Sequence, residues 1–280
     1  GDIGTSPIYV LKAIMNMATG GNHAITDDLI LGGVSCVFWT LTIIVTIKYV
    51  ILALNADNKG EGGIFALYAI VRRYKAKWTI IPALIGCASL MADGFITPPI
   101  SISSAIEGLN ILYPNIQTVP IVIAILIGIF MAQQFGTNKI GNAFGPIMLV
   151  WFTMIGVLGF TQILKYPQVF KALNPMYAIN LVVHYPGGIW FLGAVFLCST
   201  GGEALYSDLG HCGKQNIRVS WTFVKIALLL SYFGQAAFII NNKGMDFDKI
   251  SPFYAVMPDW FLKVGIGIAT LATIIASQAL

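Results

Sequence analysis

Long apolar segments separated by short polar connections run through the whole chain. About 20 apolar residues are needed to cross a bilayer, and the sequence predicts eight segments of this kind, called spans 1 to 8. They are roughly 7–20, 28–54, 78–112, 119–134, 145–164, 188–207, 219–241 and 259–280. A short amphipathic helix is predicted between spans 2 and 3. The pattern therefore predicts an all-α integral membrane protein, with residues 1–280 forming one transmembrane transporter domain.

The composition supports a membrane environment. The chain of 280 residues is 57% hydrophobic and 10% charged, and its mean hydropathy is +0.79, whereas soluble domains carry about 25% charged residues. A formal net charge of +4 is too small to indicate a nucleic-acid partner. The cysteines are scattered, and the sequence contains no zinc motif, phosphate-binding loop or nucleophile elbow. We therefore expect no enzyme activity and no organic cofactor.

Basic residues are distributed unevenly among the connections. If the connection between spans 2 and 3 is cytoplasmic, alternate connections place eight basic residues inside and four outside, in agreement with the positive-inside rule. The inside set is Lys59, Arg72, Arg73, Lys75, Lys77, Lys139, Lys214 and Arg218, and the outside set is Lys165, Lys171, Lys243 and Lys249. Span 1 is then predicted to run outward and span 6 inward.

The first ten residues, GDIGTSPIYV, predict an interrupted helix in span 1. Ser6 followed by Pro7 is typical of a helix start, with serine as the N-cap. We therefore expect non-helical backbone from Gly1 to Thr5. At membrane depth such backbone must face protein or a water-lined cavity, which would also contain Asp2.

Span 6 carries a similar signal in CSTGGEALYSDLG. The pair Gly201 and Gly202 predicts a helix break immediately before Glu203. Spans 1 and 6 share an order of glycine, acid and tyrosine, with Tyr9 and Tyr206 as the tyrosines. They lie five spans apart and are predicted to run in opposite directions. This is the pattern of an inverted repeat, in which paired interruptions mark a substrate site near the bilayer midplane.

Span 3 supplies a third acid. In MADGFITPPISISSAIEGL, Asp93, Thr97 and Ser101 recur every four residues, which places three oxygen donors on one side of a helix. Asp93 and Glu203 each lie 15 residues into their spans, at about 22 Å of helical rise, and Asp2 is expected at a comparable depth. A carboxylate there costs at least about 2.5–3.5 kcal/mol unless it is protonated or paired. Three together indicate a site.

Each assignment has a structural alternative. The acids could pair with Lys12, Lys48 or Lys225, although Lys12 and Lys48 lie near span ends, where long side chains reach the interface. A hydroxyl such as that of Thr97 could equally bond to its own helix. Glu107 and Asp208 are interpreted as solvated charges at helix ends.

Acids, hydroxyls and unwound carbonyls form a set of hard oxygen ligands. Such a set suits a cation, because carboxylates would repel an anionic substrate and carbonyls readily replace the hydration shell of a monovalent ion. Chemistry alone therefore predicts a cation transporter and does not separate potassium from sodium.

Seven stretches of the chain resemble the KUP/HAK/KT family of potassium uptake permeases. They are GDIGTSPIYV, NADNKGEGGIFAL, ADGFITPPISISSAIEGL, FGPIMLVWF, GGEALYSDLGHCGK, SYFGQAA and ATIIASQA. The resemblance implies a proton-coupled potassium importer of the APC superfamily in the cell membrane, with a LeuT-like fold of twelve spans, a cytoplasmic C-terminal domain and a homodimeric assembly. We expect the chain to be a fragment without the start of span 1, spans 9 to 12 and that domain.

The resemblance also implies the ligands of the ion. The potassium site would consist of Asp2, Tyr9, Asp93, Thr97, Ser101, Thr200 and Glu203, all present with the family's residue types and spacing. Three ionised carboxylates around one K⁺ leave a net charge of −2 in a poorly hydrated cavity, so at least one is expected to hold a proton. Glu203 is the preferred proton carrier, Asp2 is the next and Asp93 is the third.

Two other functions stay open as alternatives. One is sodium- or proton-coupled symport of a solute such as an amino acid by the same fold. The other is a non-transporting membrane scaffold or a membrane enzyme.

Overall fold

The part of the chain that the structure describes consists mainly of helices. The computed structural model describes residues 2–20, 25–73, 77–113, 116–133, 138–243, 245, 247 and 250–278. Its α-helices are α1 (Asp2–Thr5), α2 (Val10–Gly20), α3 (Asp27–Thr40), α4 (Ile64–Arg72), α5 (Ile80–Ile106), α6 (Leu109–Leu112), α7 (Thr118–Gln133), α8 (Asn138–Lys165), α9 (Pro175–His184), α10 (Gly188–Phe196), α11 (Ala204–Ser207), α12 (Leu209–Cys212), α13 (Lys214–Asn241), α14 (Pro252–Ala255) and α15 (Asp259–Gln278). A π-helix covers Leu41–Leu52, and 3₁₀ segments cover Ser6–Ile8, Ala53–Asn55, Lys77–Thr79, Pro167–Leu173 and Leu197–Ser199.

The predicted spans coincide with these helices. Six helical stretches are long and apolar enough to cross a membrane: Asp27–Asn55, Ile80–Leu112, Ala143–Lys165, Gly188–Ser207, Lys214–Asn241 and Asp259–Gln278. Span 4 is a shorter apolar helix, and span 1 is divided by its interruption. The short helix predicted between spans 2 and 3 is α4. The prediction of an all-α membrane protein is confirmed.

The interruption of span 1 lies later in the chain than predicted. Asp2–Thr5 forms a turn of α-helix, and α2 begins only at Val10, so the expectation of non-helical backbone up to Thr5 was wrong for the described residues 2–5. The cause lies at Pro7, which has no N–H for the carbonyl of Ile3 four residues earlier. The Ser6 hydroxyl donates to that carbonyl instead, at 2.7 Å. Ser6 therefore belongs to the preceding turn and is not the N-cap of the following helix.

Span 6 is interrupted at the predicted glycine. After α10 and a short 3₁₀ segment, Thr200 adopts an extended conformation (φ −58°, ψ 134°). Gly201 follows with φ +79°, a conformation that suits glycine because a Cβ would clash with the backbone. The helix resumes as α11 at Ala204.

Contacts between connections show which span ends share a side. The Tyr206 hydroxyl, at the end of span 6, donates to the carbonyl of Ala56, just after span 2, at 2.6 Å. At the other end, Lys243 after span 7 pairs with Asp27 at the start of span 2, at 2.8 Å. Spans 2 and 6 therefore end on the same side, and span 7 ends on the side where span 2 begins. We call the end with Tyr206 the inner end and the end with Asp27 the outer end, following the loop charges.

The spans differ greatly in how well they are covered. Spans 5 and 7 approach closely at two glycines, where a Cβ on Gly234 would lie 2.3 Å from the Cα of Gly159. Span 3, formed by α5, lies at the edge: only 6% of its most apolar stretch is buried, against 39–61% in the other five long spans. Its Asp93 side nevertheless faces the interior of the bundle.

Candidate functional site

The structure brings the three predicted acids together. Asp2 comes from α1, Asp93 from the middle of α5, and Glu203 from the residue before α11. Asp2 lies within electrostatic range of Asp93 and Glu203, and Glu203 lies within range of Asp93. Asp2 is 4% exposed, and the other two are half-buried.

The break of span 6 lies against the helical turn that carries Asp2. A Cβ on Gly201 would lie 2.8 Å from the Cβ of Asp2 and 3.2 Å from the backbone nitrogen of Ile3. Only a residue without a side chain permits this approach. The break in span 6 therefore forms one wall around the first acid.

Carboxylate oxygens at this place lack protein partners. Both oxygens of Asp2 and the Oδ2 of Asp93 are buried without a hydrogen bond from any described residue. None of the three acids forms an ion pair with a lysine within the described ranges. Lys48 acts on Glu203 only at a distance, with its exposed ammonium 4.6 Å from the Tyr49 ring centroid. Buried carboxylates need a proton or a cation as their partner.

Hydroxyl groups surround the acids. Thr97 donates to Asp93 Oδ1 at 2.7 Å. The Tyr9 hydroxyl lies close to Ser101 and within the field of Asp2 and Asp93. Tyr9 and Ser101 are both buried, so these oxygens face protein and not lipid.

Thr200 lies near the other predicted ligands through its backbone position and not through a described hydrogen bond. Its backbone lies in the break of span 6, and its side chain is half-buried. Among the described residues, no hydrogen bond links its hydroxyl to the other six predicted ligands. Its assignment therefore still rests on the sequence.

Neighbouring spans satisfy the backbone carbonyls at the interruption of span 1. The indole Nε1 of Trp151 donates to the Gly4 carbonyl at 2.9 Å, and the Gln235 amide donates to the Pro7 carbonyl at 3.0 Å. Trp151 is fully buried and Gln235 is 3% exposed. Irregular backbone at membrane depth requires such partners.

These two positioning residues escaped the sequence-based prediction. Trp151 and Gln235 lie within FGPIMLVWF and SYFGQAA, which entered only through the family resemblance. A signal for each was present, because a buried indole N–H or side-chain amide in an apolar helix needs a hydrogen-bond partner.

Glu107 lies at the end of α5 with its side chain 37% exposed, as expected for a helix-end charge, but it is paired and not independent. Its carboxylate accepts a hydrogen bond from Lys12 at 2.6 Å, and the pair joins span 1 to the end of span 3. Lys12 and Glu107 are 95 residues apart, and local spacing does not reveal a pairing between residues so distant in the chain. The sequence therefore suggested two independent charges at the interface. Asp208 is exposed, as expected for a helix-end charge.

Comparison with known proteins gives the family. A family model described as the K⁺ potassium transporter integral membrane domain matches residues 1–280. The chain belongs to this potassium transporter family. A relative from Flavobacterium johnsoniae, named "Probable potassium transport system protein Kup", is 58% identical over 288 residues, which cover 100% of this chain and 43% of the relative.

Relatives of the same name occur in other bacteria. The protein from Cytophaga hutchinsonii is 59% identical, and the one from Clostridium perfringens is 50% identical, each over 100% of this chain. The chain spans 42–44% of the length of these relatives. No solved structure matches the chain. The family is one of multi-pass membrane transporters and not of enzymes.

Proposed function

We propose that the chain forms the ion pathway of a potassium importer, with its site between the two helix interruptions and span 3. The observation that carries this proposal is the Asp2 carboxylate. It is buried without a hydrogen bond from the described residues and lies against the break of span 6. A cation bound there offsets the cost of burying the charge. The relatives' name favours potassium as that cation.

The proposed ligands are the carboxylates and hydroxyls that converge on this place. They are Asp2, Tyr9, Asp93, Thr97, Ser101, Thr200 and Glu203. All seven supply oxygen, the ligand type that replaces the hydration shell of K⁺. Pairing of the acids with lysines, the main structural alternative, gains no support from the described contacts.

Proton coupling is the second part of the proposal. One K⁺ cannot balance three ionised carboxylates held within each other's field, so at least one carboxyl group carries a proton when potassium is bound. Interacting acids titrate as a set. Glu203 and Asp2 are preferred over Asp93 as carriers, because Glu203 follows the break of span 6 and Asp2 lies against it, so a rearrangement of that break would change the exposure of both.

The proposed architecture is a LeuT-like inverted repeat of the APC superfamily. Spans 1 and 6 are both interrupted, and the break of span 6 lies against the Asp2 turn of span 1. In such folds the two halves move around a fixed midplane site. A homodimeric assembly and a location in the cell membrane are proposed from the family resemblance alone.

Isotope uptake tests the proposed substrate. The protein in its full-length form would be expressed in a host that lacks potassium uptake, and ⁸⁶Rb⁺ influx would be measured with competing solutes. We expect competition by K⁺ and no competition by Na⁺ or amino acids. Uptake of an organic solute without rubidium uptake, or no uptake by a correctly inserted protein, would contradict the proposal.

A further inference from the structure

We infer that Lys12 and Glu107 form an ion pair that closes the outer approach to the cation site. The ammonium of Lys12 lies 2.6 Å from Glu107 Oε2, and the two side chains are 20% and 37% exposed. Within the described ranges, this is the ion pair that joins two spans carrying proposed ligands. We call it the outer ion pair.

The outer ion pair lies outward from the proposed ligands of both spans. Lys12 follows Tyr9 by three residues, and Glu107 follows Ser101 by six. Lys12 therefore shares a helix face with Tyr9, whereas six residues place Glu107 about 120° around α5 from Ser101, with Ser104 between them. The ion pair therefore lies one to two turns outward from Tyr9 and Ser101.

The segment that precedes span 8 reinforces this closure. The Tyr254 hydroxyl donates to the Ala105 carbonyl at 2.8 Å, and Ser251 donates to the Ile8 carbonyl at 3.3 Å. Tyr254 is 1% exposed. The segment thus contacts span 3 beside Glu107 and span 1 about one turn inward from Lys12.

The charges of the outer ion pair give the closure a role in cation transport. This role rests on the function proposed above. An unpaired ammonium at this position would repel an approaching K⁺, whereas the neutral pair does not. Separating the two side chains opens the gap between spans 1 and 3. The outer ion pair therefore holds spans 1 and 3 together and carries no net charge beside the ion path.

Cysteine labelling tests the closure without requiring transport. Ser104→Cys places a thiol on span 3 between Glu107 and Ser101, beneath the outer ion pair. In cells expressing the full-length protein, a membrane-impermeant maleimide is added from outside. Labelling is compared among the intact pair, Lys12→Met, Glu107→Gln and the exchanged pair Lys12→Glu with Glu107→Lys. The parent without Ser104→Cys gives the background.

Both single substitutions should accelerate labelling at least about fivefold, the lower range of typical coupling energies between sites. The exchanged pair should return the rate to within about twofold of the intact pair. Lys243→Met breaks the exposed ion pair with Asp27 at the same end and should leave labelling unchanged. Unchanged labelling in the single variants, or acceleration that the exchange does not reverse, would overturn the inference.

Rubidium uptake by the same variants separates this inference from the proposed function. Glu107→Gln should raise the KM for Rb⁺ more than it lowers the maximal rate, because an unpaired Lys12 opposes ion entry. If the intact protein transports rubidium but the labelling rate is the same with and without the ion pair, the closure is refuted and the proposed function stands. If labelling follows the pair but rubidium uptake is absent, the closure stands and potassium transport is refuted.

Discussion

The Thr97 hydroxyl orients one of the acids of the proposed site. It follows Asp93 by one helical turn and donates to Asp93 Oδ1 at 2.7 Å, so it orients a carboxylate whose other oxygen has no described partner. A hydroxyl bound only to its own backbone would leave the acid free to rotate. The observed bond therefore favours a role for Thr97 in ion binding.

Thr97→Val tests this role. The substitution removes the hydroxyl with little change in volume, and loss of one hydrogen bond costs about 0.5–1.5 kcal/mol. We expect the apparent affinity for K⁺ to fall about two- to tenfold while expression and insertion stay normal. The control is Thr153→Val, since Thr153 donates to the Leu149 carbonyl on an exposed face of α8. Equal effects of the two substitutions would return Thr97 to a structural role.

Gln235→Leu tests the support of the interrupted backbone. The substitution leaves the Pro7 carbonyl buried without its amide donor, at a cost of about 1–3 kcal/mol. We expect a lower midpoint of thermal unfolding in detergent, whereas Gln168→Leu on the exposed surface should not change it. An unchanged midpoint in the Gln235 variant would show that the carbonyl is satisfied in another way.

The acids of the site were predictable from sequence, and their supporting residues were not. A carboxylate at membrane depth is costly enough to stand out among apolar neighbours, which is how Asp2, Asp93 and Glu203 were found. Trp151 and Gln235 act through backbone carbonyls of a different span. Their partners depend on how the spans pack, and spacing along one helix does not contain that information.

At the scale of elements, the two interruptions have different local causes. Span 1 is interrupted because Pro7 lacks an N–H, and Ser6 compensates by donating to Ile3. Span 6 is interrupted at Gly201, whose positive φ and missing Cβ permit contact with Asp2. The glycine signal located its break correctly, whereas the Ser-Pro signal was read as a helix start and displaced the first break by several residues.

Gly201→Ala tests whether stability and transport depend on the close contact between Gly201 and Asp2. A Cβ at φ +79° costs roughly 1–2 kcal/mol and would also press on the Asp2 side chain, 2.8 Å away. We expect lower thermal stability and loss of most rubidium uptake. Gly193→Ala in the preceding helix, where a Cβ would meet nothing within 4 Å, should behave as the unchanged protein. Normal rubidium uptake by the Gly201 variant would show that transport does not require the close contact between Gly201 and Asp2.

At the scale of the whole molecule, the positions of the long spans followed from hydropathy. The long spans occur where the apolar runs predicted them, and two contacts place the ends of spans 2 and 6 on one side and the end of span 7 on the other. The sequence did not predict the exposure of α5 or the insertion of α14 against span 3. Apolar helices facing lipid and apolar helices facing protein have similar compositions, so only packing distinguishes them.

The direction of transport is also a property of the whole molecule. Carrying K⁺ together with H⁺ moves two charges inward, and each contributes about 2.3 kcal/mol per 100 mV of membrane potential. A coupled cycle therefore accumulates potassium beyond the level that voltage alone supports. Glu203 would link the two ions, because it lies within the field of Asp2 and Asp93 and beside the break of span 6.

Rubidium uptake into proteoliposomes, with the membrane potential clamped and an inward proton gradient imposed, tests whether potassium and protons move together. For the full-length protein we expect the gradient to accelerate uptake. Glu203→Gln should abolish that acceleration while rubidium binding, measured separately by equilibrium dialysis, is retained. Uptake by the unchanged protein that is indifferent to the proton gradient would contradict coupled transport and leave a uniporter.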